Sequence, residues 1–181
     1  MKNKFLIFLV LISATKITLS NPLEITWVRK SFVQAISNSQ KAEELYQKLN
    51  STANNSHPVL LAYKGATEGL LAKHSLFPIT KLSYLNKSLE NINKAIKLSP
   101  ANEEIRHIRF NIESSIPSLL GYSVHLDEDK TLLLHFLQTA KVNKDNSNLL
   151  NQYANTLLKS KLCTVSETKI LIKIVELCKQ V

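Results

Sequence analysis

From residue 25 onward the chain repeats apolar side chains at intervals of three and four. Ile25, Val28, Phe32 and Ile36 form one stripe, Ala42, Leu45, Tyr46 and Leu49 a second, and Leu60, Tyr63, Ala66 and Leu70 a third. Leu82, Leu85, Leu89, Ile92 and Ile96 keep a regular 3-4-3-4 spacing, and Ile105, Ile108 and Ile112 resume it after a break. Three more stripes follow: Leu133, Phe136, Leu137 and Ala140; Leu150, Tyr153 and Leu157; Leu171, Ile174, Val175 and Cys178. Side chains three or four apart share one face of an α-helix, so the pattern predicts about eight amphipathic helices. No segment alternates apolar and polar residues with the period of a strand.

Local chemistry marks where these helices begin and end. Thr164-Val165-Ser166-Glu167 has the spacing of a capping box, in which the Thr hydroxyl accepts from the Glu167 amide and the Glu167 carboxylate reaches back. Asp127, Glu128 and Asp129 place negative charge on the first turn of the sixth helix, and Lys141 and Lys144 lie at its far end, both favourable to the helix dipole. Pro100 has no amide hydrogen and restricts Ser99, so the fourth helix stops there. Pro58 and Pro117 punctuate further, and Gly121 ends a short turn after Leu119-Leu120. Short links between helices give antiparallel neighbours. The expected fold is therefore all-α, a row of antiparallel helical hairpins, with an irregular helical bundle as the alternative.

Composition narrows this to one globular domain. The chain has 181 residues, 44% hydrophobic and 20% charged, with 3 Gly and 5 Pro, which excludes collagen-like, linker-like and turn-rich β architectures. Two Cys are too few for a disulfide-stapled miniprotein. The N-terminus changes the picture more. Lys2 and Lys4 precede the apolar run Phe5 to Ala14, and Thr18-Leu19-Ser20 offers the small residues read by a signal peptidase. Residues 1–20 thus read as a secretory signal peptide cut before Asn21, leaving an all-helical domain over 21–181 in the periplasm or outside a bacterial cell. The run is too short to span a bilayer, which takes about 20 apolar residues. Lys2, Lys4 and Lys16 would leave with it, lowering the net charge from +9 to +6.

The stretch Asn93-Lys94-Ala95-Ile96-Lys97-Leu98-Ser99-Pro100 resembles the second-helix ending of a tetratricopeptide repeat, with Ala95 at the small position and Pro100 at the breaker. Ser88, twelve residues before Pro100, falls where helix two crosses helix one, and Tyr63-Lys64-Gly65-Ala66 supplies a small pair like that of the first helix. The spacing departs from the repeat: Gly65 lies 11 residues too far upstream, which reads as an insertion over Lys73 to Ser83. A second unit runs from Ile105 to Lys144 with its own long internal loop. Residues 62–74, 95–110 and 116–130 are also similar to a group of small exported bacterial proteins with tetratricopeptide-like folds. The resemblance implies a scaffold that binds a peptide or protein in a concave groove, and it brings no activity with it.

Five residues are candidates for contact with such a partner: Tyr63, Lys64, Arg106, Arg109 and Tyr122. An arginine pair beside Ile108 suits an acidic side chain or a C-terminus, because the planar guanidinium forks onto carboxylates. The commoner fate of such residues is an intrachain salt bridge, for example Arg109 with Glu113 one helical turn on. Tyr63 and Tyr122 have an equivalent alternative as core aromatics with a hydrogen-bonded hydroxyl. Lys87 and Lys94 read as a solvated helix face, and no aromatic interleaving or helix-turn-helix points to nucleic acid. The five His have no metal-ligand spacing. Cys163 and Cys178 would be separated by about 20 Å of helix and are expected as free thiols. No nucleophile elbow, phosphate loop or paired-acid arrangement is present. The expectation is a non-catalytic interaction module without cofactor. The alternative is an enzyme or small-ligand carrier whose polar groups converge from several helices.

Overall fold

The computed structural model describes residues 22–51 and 57–181. The segment read above as a signal peptide, residues 1–20, lies outside the described residues. The described chain is all-α, with eight α-helices: α1 (Pro22–Ala35), α2 (Ser39–Ser51), α3 (Pro58–His74), α4 (Pro78–Leu98), α5 (Glu103–Ser115), α6 (Leu126–Thr139), α7 (Ser147–Ser160) and α8 (Val165–Lys179). A short 3-10 turn, Ser118–Leu120, interrupts the loop between α5 and α6. Gly121 closes that turn at φ +71, a left-handed conformation that glycine adopts without a Cβ clash.

The helix ends follow the local chemistry. Pro58 and Pro78 each occupy the first turn, where a missing amide hydrogen costs nothing. Asn102 caps α5 by accepting from the Ile105 amide. Thr164 and Glu167 form the reciprocal capping box at the start of α8.

Each odd-numbered helix packs on the even-numbered helix after it, giving four consecutive helix pairs among the described residues. The odd helices also meet in sequence, α1 with α3, α3 with α5 and α5 with α7, so the pairs stack in a row. The most extensive packing joins α3 to α4. There the backbones approach so closely that a Cβ on Gly65 would lie 2.7 Å from the Ser88 carbonyl oxygen and from Ile92 Cγ1. Gly69 repeats the approach one turn later, 3.3 Å from Ser88 Oγ. The small residues Gly65 and Ser88 thus face each other across one crossing.

The interval between them is not made by the insertion expected over Lys73 to Ser83. Only Ser75, Leu76 and Phe77 lie outside helix there; α3 and α4 are long instead, at 17 and 21 residues. As a result the first turns of α4 overhang, and Leu82, at the head of the 3-4-3-4 stripe, is 48% exposed. Ile36 likewise falls just past the end of α1 and is 43% exposed.

Two apolar clusters make the core. The first joins α1 to α5 through Val28, Leu45, Leu60, Ile92 and Ile105. The second joins α5 to α8 through Phe110, Leu133, Leu150, Tyr153 and Leu171. Helix α5 serves both, with Ile105 and Ile108 on one side and Phe110 on the other. Full burial of each such side chain contributes about 1.5–3 kcal/mol. Among the described residues no helix is long and apolar enough to cross a membrane.

Candidate functional site

Because the odd helices lie side by side, their inner faces form the walls of a groove of about 1080 Å³. Phe32 and Val33 of α1, with Ile36 just past its end, line one wall, Tyr63 and Leu70 of α3 and His107 and Ile112 of α5 the floor, and Leu149, Gln152 and Thr156 of α7 the opposite wall. Ile116 and Leu120 of the α5–α6 loop, with Lys81 and Leu85 of α4, complete the lining.

The polar part is built across four helices. Arg29 grips Glu104 with both arms of its fork: Nε donates to Oε1 at 2.7 Å and Nη2 to Oε2 at 2.6 Å. The Tyr63 hydroxyl donates to Glu104 Oε1 at 2.9 Å, and its ring meets Phe32 edge-on at 5.4 Å between centroids. Burial, and then the negative charge of Glu104, raise the Tyr63 hydroxyl above the usual phenol range, so it stays a neutral donor. His107 stacks on Tyr153 with centroids 4.2 Å apart, and its Nε2 lies 2.9 Å from Thr156 Oγ1. Burial pushes the His107 imidazole down to about 4, so it is uncharged at neutral pH. The groove therefore offers a half-exposed guanidinium held in place, neutral hydrogen-bonding aromatic rings, and apolar side chains beside them.

Of the residues singled out from the sequence, Tyr63 lines this groove and the other four do not. Lys64 is half-buried on α3, beside the groove, near Glu68. Tyr122 sits after the 3-10 turn, half-buried, its hydroxyl donating to Asn86 Oδ1 of α4 at 3.1 Å.

Arg106 and Arg109 correct the expectation of a partner clamp. They are 6% and 4% exposed and are consumed inside the fold. Arg109 Nε and Nη2 donate to Asp129 Oδ2 and Oδ1 at 2.7 and 2.8 Å, and Nη2 also to Glu128 Oε2 at 2.9 Å. Arg106 Nη1 donates to Glu128 Oε1 at 2.6 Å and Asp129 Oδ1 at 2.9 Å, while its Nε donates to the Pro100 carbonyl at 2.7 Å. Hydrogen bonds from Arg106 hold the Glu128 carboxyl below the usual carboxylate range. Two guanidinium and two carboxylate groups thus form a neutral cluster, with Asp129 fully buried at its centre, that locks α5 to α6.

Glu113 does not pair with Arg109. It is buried and accepts from the His125 amide at 2.8 Å, with His125 Nδ1 at 2.7 Å. The reason is direction: both arginines point toward the first turn of α6, and Glu113 lies one helical turn further on, opposite the α6 N-terminus.

Cys163 and Cys178 are free thiols, just before α8 and in its last turn. Among the described residues no group of three His, Cys, Asp or Glu side chains converges to hold a metal ion. Sequence reasoning missed Arg29, Glu104 and His107 as groove residues. No family model, curated protein or solved structure matches this chain.

Proposed function

We propose that the protein is an exported, non-catalytic helical-repeat module that binds a segment of a protein or peptide partner along the groove between α1, α3, α5 and α7. The observation that carries the reading is the groove itself: one concave surface carrying apolar and hydrogen-bonding side chains, lined from every odd-numbered helix. Its volume is just above the ~300–1,000 Å³ usual for small-ligand pockets, which suits an extended chain or a helix. Export rests on the character of residues 1–20.

Convergence of Arg29, Tyr63, Glu104 and His107 favours a second reading, a small-molecule site. Two features weigh against catalysis there. Both Glu104 oxygens are taken by Arg29, and His107 is a weak base in its buried setting.

Peptides selected from a random library on the purified protein test the proposal. Val33 and Leu149 are 67% and 41% exposed on opposite walls, so Val33→Asp and Leu149→Asp alter the groove and leave the core intact. The expected result is that each variant weakens the selected peptides by about tenfold or more. Failure to enrich any peptide, or peptides indifferent to both variants, would overturn it.

A further inference from the structure

The groove leaves one feature unexplained. The turn between α3 and α4 carries Leu76, Phe77 and Ile79 at 91%, 72% and 85% exposure. They are not scattered surface residues. The three fall within four consecutive positions, interrupted only by Pro78, and project from the end of the longest hairpin in the described chain. Pro78 in the first turn of α4 and the Ser75 hydroxyl, which donates to the Phe77 carbonyl, fix how the turn is presented. A side chain this exposed at a convex tip has no pocket to enter and no cavity wall around it.

The charge around the tip is one-sided. Lys73 lies in the last turn of α3 and Lys81 in the first turn of α4, so both stand roughly 3–5 Å behind the apolar tip at the helical rise. Neither forms an ion pair among the described residues. No Asp or Glu occurs between Gly69 and Leu89, a stretch that also contains Lys87 and His74. His74 Nε2 lies 3.3 Å from the Ala35 carbonyl, which seats the exposed Val33 and Ile36, at the end of α1, beside the same tip.

An apolar wedge backed by lysines at headgroup height matches a bilayer surface, which accepts a convex apolar tip without shape complementarity and attracts the lysines when its lipids are anionic. We propose that the Leu76–Ile79 turn is a peripheral membrane anchor that inserts into the interface of an anionic bilayer, with Lys73 and Lys81 on the lipid phosphates. A protein partner is the less fitting occupant, because a protruding wedge needs a receptor pocket and the two lysines then need a matching acidic rim. Leu76, Phe77 and Ile79 do not line the groove, whereas Lys73 and Lys81 do, so the turn fluorophore on vesicles and Leu149→Asp on selected peptides read the two proposals separately.

The test places a reporter in the tip itself. The chain has a single Trp, so Phe77→Trp in a Trp27→Phe background gives one fluorophore, located at the turn. The full chain is titrated with vesicles of phosphatidylcholine alone or mixed with phosphatidylglycerol, each also prepared with brominated acyl chains. Insertion predicts a blue shift and bromine quenching of this single indole on the anionic vesicles. Partitioning should weaken by about tenfold or more in Lys73→Gln/Lys81→Gln and be lost at high salt. Because the reporter reads the turn and not the whole chain, vesicle binding through residues 1–20 does not mimic this result. Vesicle binding without quenching of the turn fluorophore, no binding at all, or equal quenching on phosphatidylcholine alone would overturn the proposal.

Discussion

Asp129 shows how much a single buried group can hold. It accepts three N–H bonds from two arginines that are themselves almost wholly buried, so removing it leaves two guanidinium groups short of partners in a poorly solvated place. Asp129→Ala should destabilise the protein by about 3–5 kcal/mol in urea unfolding, whereas Arg29→Ala, at a half-exposed pair, should cost under about 1 kcal/mol. Equal effects at the two sites would mean that burial of the cluster has been misjudged. His107 supplies a pH dependence. Its imidazole sits at about 4 in the fold against 6.5 for an ordinary histidine, so between these values the unfolded chain binds a proton that the folded chain refuses. The contribution is fully present above about 6.5 and is lost as the pH falls toward about 4, amounting to roughly 3 kcal/mol. His107→Phe keeps the stacking on Tyr153 and should flatten the pH dependence of stability across that window; an unchanged slope would contradict the assignment.

At the scale of elements, the sequence pattern is most informative where one face of a helix is buried along its whole length. Leu150, Tyr153 and Leu157 of α7 and Leu171 and Ile174 of α8 are buried as their spacing predicts. Thr164 and Glu167 start α8 with the bonds their order implies. Thr164→Ala should therefore cost about 1 kcal/mol, read as a lowered urea midpoint with unchanged slope. The same spacing fails at Leu82, because periodicity reports which residues share a face and not whether another helix covers it. The α3–α4 hairpin is obscured for a different reason: helix length and loop insertion produce the same interval in a sequence, and only the close approach of Gly65 to Ser88 distinguishes them. A Cβ at Gly65 meets backbone, which cannot rotate away, so Gly65→Val should force the hairpin apart and destabilise by about 1–3 kcal/mol. A neutral Gly65→Val would refute the tight crossing.

The whole molecule adds what neither residues nor helices contain. Arg29 and Glu104 are 75 positions apart, and their contact exists only because α1, α3 and α5 stack in a row. Tyr63 is legible as a candidate because its small neighbours mark a helix crossing. Glu104 reads only as a helix-opening charge, and His107 only as a histidine without ligand spacing. Arg106 and Arg109 are legible as carboxylate partners but not as buried ones, because their acids lie across a loop whose path periodicity does not encode. Stacked helix pairs with one side inward produce a core, and with the other side open they produce a concave surface. The claim that this surface is the working part of the protein is tested most directly by amide chemical-shift mapping of a library-selected peptide. Binding in the groove should concentrate the shifts at Phe32, Val33, Leu70, Ile112, Leu149 and Gln152. Shifts confined to the outward faces of α2, α4, α6 and α8 would contradict it.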